Sequence, residues 1–491
     1  MLFTTLEFVL FFVVVLTTIS IIKNRQFHHF FLLGVSLFFF YYSSNYLITI
    51  LIASTLLDFY VGKAIWKTSN VSRKKILLII SLAGNLGLLG FFKYADFAIL
   101  QFNIMGNYFN LSNEIPLLNL VWPIGISFYT FQTISYSVDI YRGNLTPSKS
   151  FWEFALFVSF FPQLVAGPIV RAKDFLPQLR EKIENFETGE RLRQIIINNS
   201  NLKLGTTLMA FGFLKKMFFA DNIAPFVNEI FANPVGLDSF AIIMGTIGFG
   251  IQIYGDFSGY TDIAIGAALI LGFKLPINFN KPYFATSPSD FWRRWHISLS
   301  TWVRDYVYYP LVFHRRNSTG VIFFSLILSF FILGIWHGAG WNFILFGILH
   351  GLYVSIDTIL RKKFPLLRNN KFFKSKIGKI GAILGTQILV FFAWIPFRVS
   401  DTNDMLYSME KFILVDIQIN EIIPFVLNHK LPIALISLFI VLHYISYKKP
   451  NMIEYFSKLK HLHWTIMIFV ILLTIVFFFD GNSEDFIYFR I

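Results

Sequence analysis

The sequence predicts an all-α fold, a polytopic transmembrane bundle of about ten or eleven spans with re-entrant and interfacial helices, and three observations predict it. Charged residues make up only 14% of the 491 positions, against roughly 25% in soluble domains, so a fully water-exposed surface cannot be built from this chain. Hydrophobic residues make up 55%, with 61 Phe, 21 Tyr and 10 Trp. Several apolar runs reach the roughly 20 residues that span a bilayer. The net charge is +14, but the basic residues fall in short loops between apolar runs. A cytoplasmic position beside anionic lipid accounts for them, so membrane lipid is an expected partner and nucleic acid is not. Cysteine is absent, which excludes disulfides, a thiol nucleophile and a thiolate metal site; no metal is expected.

Taken in order, the first run, about 3–22, has no basic residue before it and no small-residue cleavage site, so it reads as a retained helix. Lys23, Arg25, His28 and His29 follow and are expected inside, which puts the N-terminus outside. The run 30–62 is too long for one untilted span and breaks at 43–45, giving two helices that return at Lys63, Lys67, Arg73, Lys74 and Lys75. A span at about 76–94 leads to an outer loop at 95–119, and Pro116 and Pro123 flank the start of a span at about 120–140. The run 151–170 is interrupted by Pro162, Gly167 and Pro168 and followed by Arg171 and Lys173, so it is expected to enter and leave on the cytoplasmic side. Residues 171–203, where Glu181, Glu184, Glu187 and Glu190 alternate with basic residues, read as a cytoplasmic surface helix. Spans at about 204–226 and 239–272 follow. The basic cluster from Arg361 to Lys379 is placed inside, the acidic stretch 399–430 outside, and spans at about 431–447 and 462–479 bracket Lys448, Lys449, Lys458 and Lys460, leaving the C-terminus outside. The chain reads as one integral membrane domain over 1–491, with peripheral N-terminal helices at 1–119, a core at 120–360 and C-terminal helices at 379–491.

Chemistry gathers in three stretches. The first surrounds Trp336, His337 and Gly338, where an imidazole sits among uncharged residues on both sides. Either it faces a cavity or a polar partner, as intramembrane ionisable groups do, or a backbone carbonyl satisfies it at an interface. His350 lies thirteen residues on, which an unbroken helix would turn into about 20 Å of rise and about 220° of rotation. The helix therefore breaks near Gly338 or Gly340, or only one of the two imidazoles is chemical. The second stretch, 291–310, has a helical period with Trp295, Leu299, Trp302 and Tyr306 on one strip and His296, Ser300 and Arg304 on another. Arg293, Arg294 and Arg304 suit lipid phosphate or the phosphates of a soluble donor. The third places Asp256 and Asp262 in an apolar region, where they are expected to pair with Arg or His or to cap a broken helix; Gly255 and Gly259 allow close helix contact. Among hydrolase and nucleotide motifs, HExxH, GxSxG and phosphate-binding glycine loops are missing from the sequence.

The stretches WPIGISFYTFQTISYSVDIYRG (122–143), FFPQLVAGPIVRAKDFLPQL (160–179), FSGYTDIAIG (257–266), FWRRWHISLSTWVRDYVYYPL (291–311), WHGAGWNFILFGILHG (336–351) and the terminal FIYFR (486–490) resemble, in order, the membrane-bound O-acyltransferase family and its bacterial alginate O-acetyltransferase branch. The resemblance implies a multi-helix bundle with a passage through the membrane. It also implies catalytic histidines at His337 and His296, and an acetyl donor that is acetyl-CoA or a carrier-protein thioester, with no permanently bound cofactor. The donor-binding set read for this chain is Arg293, Arg294, Arg304, Trp336, Trp341, Asp256 and Asn342. The expected acceptor is the hydroxyl of an extracytoplasmic polysaccharide, alginate-like or another exopolysaccharide, in the bacterial inner membrane with a periplasmic partner of the SGNH type. Peptidoglycan O-acetylation and teichoic acid D-alanylation are the neighbouring alternatives, and a polysaccharide or ion transporter is the alternative from another class. One departure follows the YYPL segment: Val312, Phe313, His314, Arg315 and Arg316 replace a turn that in the branch carries two glycines, an Asn and a basic residue, which bears on the partner contacts and the donor pocket.

Overall fold

Long apolar runs with few charges form helices, because a helix satisfies every backbone N–H and C=O within one segment. The computed structural model describes residues 1–110, 114–121, 123–164, 167–182, 189–313, 315, 318–364, 375–479, 481 and 486–489. Among these, eight helical stretches are long and apolar enough to cross a membrane, and the all-α polytopic bundle read from composition is the fold observed. Trp122, Glu184, Glu187, His314, Arg316 and Arg490, and the basic residues between 365 and 374, lie outside the described residues.

The chain forms two compact units, Met1–Met209 with Ile263–Pro276, and Ala210–Asp262 with Ile277–Ile491. The first begins with α1 (Leu6–Ile21), α2 (Arg25–Ser44), α3 (Ile48–Lys67), α4 (Val71–Tyr108) and α5 (Ile126–Tyr141). The chain breaks between α2 and α3 at Asn45, whose φ is 49°, as the polar triplet implies. Phe3, Phe8, Phe12, Phe39 and Phe161 pack the space around α1 and α2. Asp58 on α3 is fully buried and accepts hydrogen bonds from Ser81 and Asn85 on α4 and from Ser137 on α5. Asn85 in turn accepts from Ser54 and Thr133. Three helices are thus joined through one carboxylate, an arrangement that pays in lipid because no water competes for the donors.

The outer loop expected at 95–119 is largely helix. No proline interrupts 71–108, so α4 continues for 38 residues, about 57 Å at the helical rise. The run 151–170 divides into α6 (Phe151–Ser159) and α7 (Phe161–Leu164), and its nine-residue first part, about 13 Å long, is too short to cross the hydrocarbon alone. The surface helix expected at 171–203 is not formed. After α8 (Ala172–Phe175) and a 3-10 turn at Leu176–Leu179 that contains Pro177, the chain makes a hairpin of β1 (Arg180–Lys182) and β2 (Glu190–Leu192). Cross-strand chemistry explains the hairpin: Glu181 faces Arg191 across the strands and they pair at 2.7 Å, while Arg180 reaches Glu153 at 2.6 Å and Lys149 reaches Glu190 at 2.8 Å.

The remaining elements are α9 (Asn199–Phe213), a π-helical turn (Leu214–Ala220), α10 (Asp221–Ala232), α11 (Ser239–Ile270), α12 (Pro288–Trp292), α13 (Ile297–Val303), a second π-helical turn (Arg304–Tyr308), α14 (Tyr309–Val312), α15 (Thr319–His337), α16 (Trp341–Lys363), α17 (Lys376–Arg398), α18 (Thr402–Leu414), α19 (Ile419–Asn428), α20 (Lys430–Lys448), α21 (Met452–Ser457) and α22 (His461–Phe478). In the second unit Gly255 and Gly259 of α11 are pressed against backbone carbonyls, a Cβ at either meeting Lys215 O at 2.9 Å or Gly212 O at 2.7 Å, so both glycines serve packing.

The Asp58 network generates a stability prediction. Replacing Asp58 by Ala removes the acceptor for Ser81, Ser137 and Asn85 and should cost about 2 kcal/mol. Asp58→Asn keeps an acceptor oxygen and should cost less than half of that. Thermal unfolding of the purified protein in detergent, followed by tryptophan fluorescence, measures both, and equal midpoints for wild type and Asp58→Ala would show the network to be dispensable.

Candidate functional site

The site is built where two helices approach without side chains between them. On α15 and α16, Gly334 and Gly347 face each other, and a Cβ on either would lie 3.0 Å from the other's Cα. Gly338 and Gly340 form the short extended connection; a Cβ at Gly338 would meet the Phe343 ring at 2.1 Å and one at Gly340 the Asn342 Oδ1 at 2.2 Å. The break expected near these glycines is therefore present, and α15 ends on His337. His337 is 2% exposed. Its ring contacts Trp336, Phe346, Phe397 and Tyr488 at centroid distances of 5.0, 5.6, 5.1 and 5.6 Å.

His296 reaches the same aromatic wall from a different element. The single helix expected over 291–310 is interrupted: α12 ends at Trp292, and His296, at φ 43° and ψ 54°, is the left-handed residue from which α13 starts. Leu299 and Trp302 remain buried on α13, while Arg304 is exposed. The His296 ring is fully buried and packs on Phe257 at 4.6 Å, Trp336 at 5.9 Å and Tyr488 at 6.3 Å. Both imidazoles thus share Trp336 and Tyr488 as neighbours. His296 Nδ1 lies 3.2 Å from Asn278 Oδ1, an atom that also accepts from the Ser298 N–H and hydroxyl. An oxygen already accepting from a backbone N–H requires Nδ1 to be the protonated nitrogen, so Nε2 is the bare acceptor. That Nε2 is buried and makes no hydrogen bond within the described residues. Burial pushes the protonation of His296, which lies outside the spanning helices, down to about 3.

His350 belongs to a neighbouring layer. Its Nδ1 accepts from the indole N–H of Trp292 at 3.2 Å, and the Phe346 ring contacts it at 4.7 Å as well as contacting His337. Trp292 donates only, so the His350 proton resides on Nε2.

The other expected site residues are distributed as follows. Trp336 is buried against both histidines. Trp341 opens α16 and is 63% exposed, so it does not form a buried wall. Asn342 donates from Nδ2 to Pro396 O at 3.0 Å, tying α16 to α17. Arg294 is held by Asp290 at 3.0 Å and Arg304 by Asp305 at 2.7 Å, while Arg293 is exposed and has no ion-pair partner among the described residues. An anion at these arginines meets one uncommitted guanidinium and two already paired. Asp256 pairs with Lys216, expected Arg or His notwithstanding, at 3.0 Å, and Asp262 pairs with Lys215 at 2.7 Å. Asp256 Oδ2 also accepts the Ile487 N–H at 2.7 Å, which fixes the segment carrying Tyr488. Tyr488, Asn278, Phe257 and Lys216 were not singled out in the sequence. The aromatic ending was visible there, but nothing in spacing joins it to positions more than a hundred residues earlier. Among the described residues no three His, Asp or Glu side chains come together as a metal site.

Comparison with known proteins places these residues in context. The model of the family described as MBOAT, membrane-bound O-acyltransferase family, matches residues 145–394. A protein of Helicobacter pylori named "Peptidoglycan O-acetyltransferase" is 36% identical over 383 residues, 73% of this chain and 68% of that one. The Pseudomonas aeruginosa protein named "Probable alginate O-acetylase AlgI" is 38% identical over 309 residues, 62% of this chain and 56% of that one. A "Teichoic acid D-alanyltransferase" of Streptococcus thermophilus is 30% identical over 257 residues, 50% of this chain and 60% of that one. The chain therefore spans less than two thirds of the alginate and teichoic acid relatives.

Two outcomes are expected from this geometry. Gly347→Leu should force α15 and α16 apart and displace His337; the variant should insert into the membrane but lose its native melting transition or shift it down by several degrees, since overpacking costs about 1–3 kcal/mol. An unshifted transition would show that the close approach is not required. The second concerns pH. The folded state holds His296 neutral, well below the ordinary value near ~6.5, so stability is unaffected above that pH and falls as pH drops through it, because the unfolded chain binds the proton and the folded one does not. Melting midpoints between about pH 7 and about pH 5 should fall more steeply for wild type than for His296→Asn, whose side chain does not titrate and whose backbone tolerates positive φ. Parallel slopes would contradict the burial.

Proposed function

Since the chain belongs to the membrane-bound O-acyltransferase family, we propose that it transfers an acetyl group from a cytoplasmic thioester to hydroxyls of an extracytoplasmic polysaccharide. The observation that carries the reading is the pair of buried imidazoles, His296 and His337, meeting at Trp336 and Tyr488. In the proposed step His337 takes the proton of the acceptor hydroxyl as its oxygen attacks the thioester carbonyl. The C–O bond forms, the C–S bond breaks, and the proton passes to the departing thiolate. His296, with Nε2 as a bare acceptor, suits orienting a hydroxyl or thiol and does not suit polarising the carbonyl, which needs a donor. Trp336, Phe346 and Phe397 keep water from the activated acyl group. Acetyl-CoA is the simplest donor, with a carrier-protein thioester as the other. Arg293 is the guanidinium best placed chemically to meet donor phosphate, being uncommitted.

On this reading the protein works in the bacterial cytoplasmic membrane, with both termini outside and an SGNH-type periplasmic protein as partner. An exopolysaccharide of the alginate kind is the first acceptor; the match of 383 residues to the Helicobacter protein supports peptidoglycan as the second. Transport is the weaker class of activity, because the two carboxylates that would favour it, Asp256 and Asp262, are each engaged by a lysine.

The test uses purified protein in nanodiscs with radiolabelled acetyl-CoA and a soluble glycan acceptor. His337→Ala should lower acetyl transfer about a hundredfold or more while leaving the melting profile of the protein recognisable. Turnover within about threefold of wild type would take His337 out of the chemistry, and glycan flux without thioester cleavage would replace the proposal by transport.

A further inference from the structure

The second unit holds a cavity that the proposed chemistry does not use. It has a volume of about 170 Å³ and lies between the first π-helical turn, α11, α20 and the chain at 450–453, room for roughly five or six waters or for a phosphate group with a few methylenes. Its walls are mostly apolar, among them Phe211, Phe439, Leu442 and Met452; its charged or imidazole groups are Lys215, Asp262, Lys281 and His443, beside the hydroxyls of Tyr254 and Ser446. Lys215 and Asp262 neutralise each other at 2.7 Å. The Lys281 side chain has neither hydrogen bond nor ion pair among the described residues, and its backbone is held at φ 48°, a left-handed conformation a long side chain seldom adopts. His443 is only 9% exposed, and its Nε2 is buried without a partner among the described residues. The cavity therefore carries one surplus positive charge and one unused imidazole nitrogen. Leu442, on its wall, is 39% exposed, so the apolar side opens toward the lipid-facing surface of α20.

We propose that this cavity binds an anionic phospholipid, its phosphate paired with Lys281 and accepting from His443 Nε2, its first chain carbons lying against Phe439, Leu442 and Met452. Position supports the choice of ligand. Ser446 and Pro450 of the lining flank Lys448 and Lys449, and Lys458 and Lys460 follow. A basic loop of this kind sits at the cytoplasmic leaflet, where anionic lipids concentrate. Phosphate on Lys281 completes a charge balance that the protein leaves open, and a phosphodiester has acceptor oxygens for both groups at once.

The experiment is native mass spectrometry of the full-length protein released from nanodiscs made of equal parts phosphatidylglycerol and phosphatidylcholine. Wild type should retain one phosphatidylglycerol in preference to phosphatidylcholine. Lys281→Gln should weaken that retention about tenfold, the loss of one charge-assisted contact, while Lys281→Arg and the surface variant Lys458→Gln should keep it. Equal retention of the two lipids by wild type, which needs no variant to fold, would overturn the proposal, as would full retention by Lys281→Gln. Displacement of the bound lipid by acetyl-CoA at equimolar concentration would also overturn it and assign the cavity to the donor's phosphates. The measurement reads lipid alone, so loss of acetyl transfer activity has no bearing on its outcome.

Discussion

An ammonium group buried among apolar helices must find carboxylates, and Lys216 finds two. It is 1% exposed and lies 2.7 Å from Asp221 and 3.0 Å from Asp256. Removing one member of such a set strands a charge in low dielectric, which makes the set a fixed point around which other contacts are arranged. Asp256 has a second oxygen, which holds Ile487; Ile487 carries Tyr488, and Tyr488 lies against both His296 and His337. Lys215 and Lys216 both lie on the π-helical turn and serve different partners, Lys216 in this set and Lys215 on Asp262. The site is thus supported by electrostatics from one side and by the glycine contact of α15 and α16 from the other.

The two histidines are held by different physics. His337 is placed by backbone: glycines at 334, 338, 340 and 347 leave no freedom in where the end of α15 lies. His296 is placed by a strained dihedral and by an amide oxygen that receives three contacts, from His296 and from the N–H and hydroxyl of Ser298.

Much of this was legible in the sequence where local rules decide. Composition set the fold class, the polar triplet set the break at Asn45, and the glycines around His337 set the break before α16. A pattern of charged or apolar residues does not by itself make a helix. The mixture of glutamates and basic residues over 171–203 suggests one, but Glu181 meets Arg191 across a hairpin. The strips of 291–310 suggest another, but the chain leaves the helix after Trp292 and resumes it only past the left-handed His296, and periodicity is blind to such a turn. Histidines stand out in apolar runs and were found. Asn278, Lys216 and Tyr488 did not stand out, because an amide, a lysine and a tyrosine are ordinary until the fold brings them to a histidine or a carboxylate.

The length of α4 has a consequence of its own. Its first five residues include Arg73, Lys74 and Lys75, which moor that end at a polar surface. Hydrocarbon accommodates about 20 residues, and an average tilt of about 20° shortens a 57 Å rod by only about 3 Å. With the first five residues outside the hydrocarbon at the moored end, roughly thirteen residues stand clear of it at the other, where Phe102, Met105 and Tyr108 expose 53%, 61% and 83% of their surface. The protein carries a mast on that face, sticky at its tip, that reaches farther from the bilayer than a helix of ordinary span.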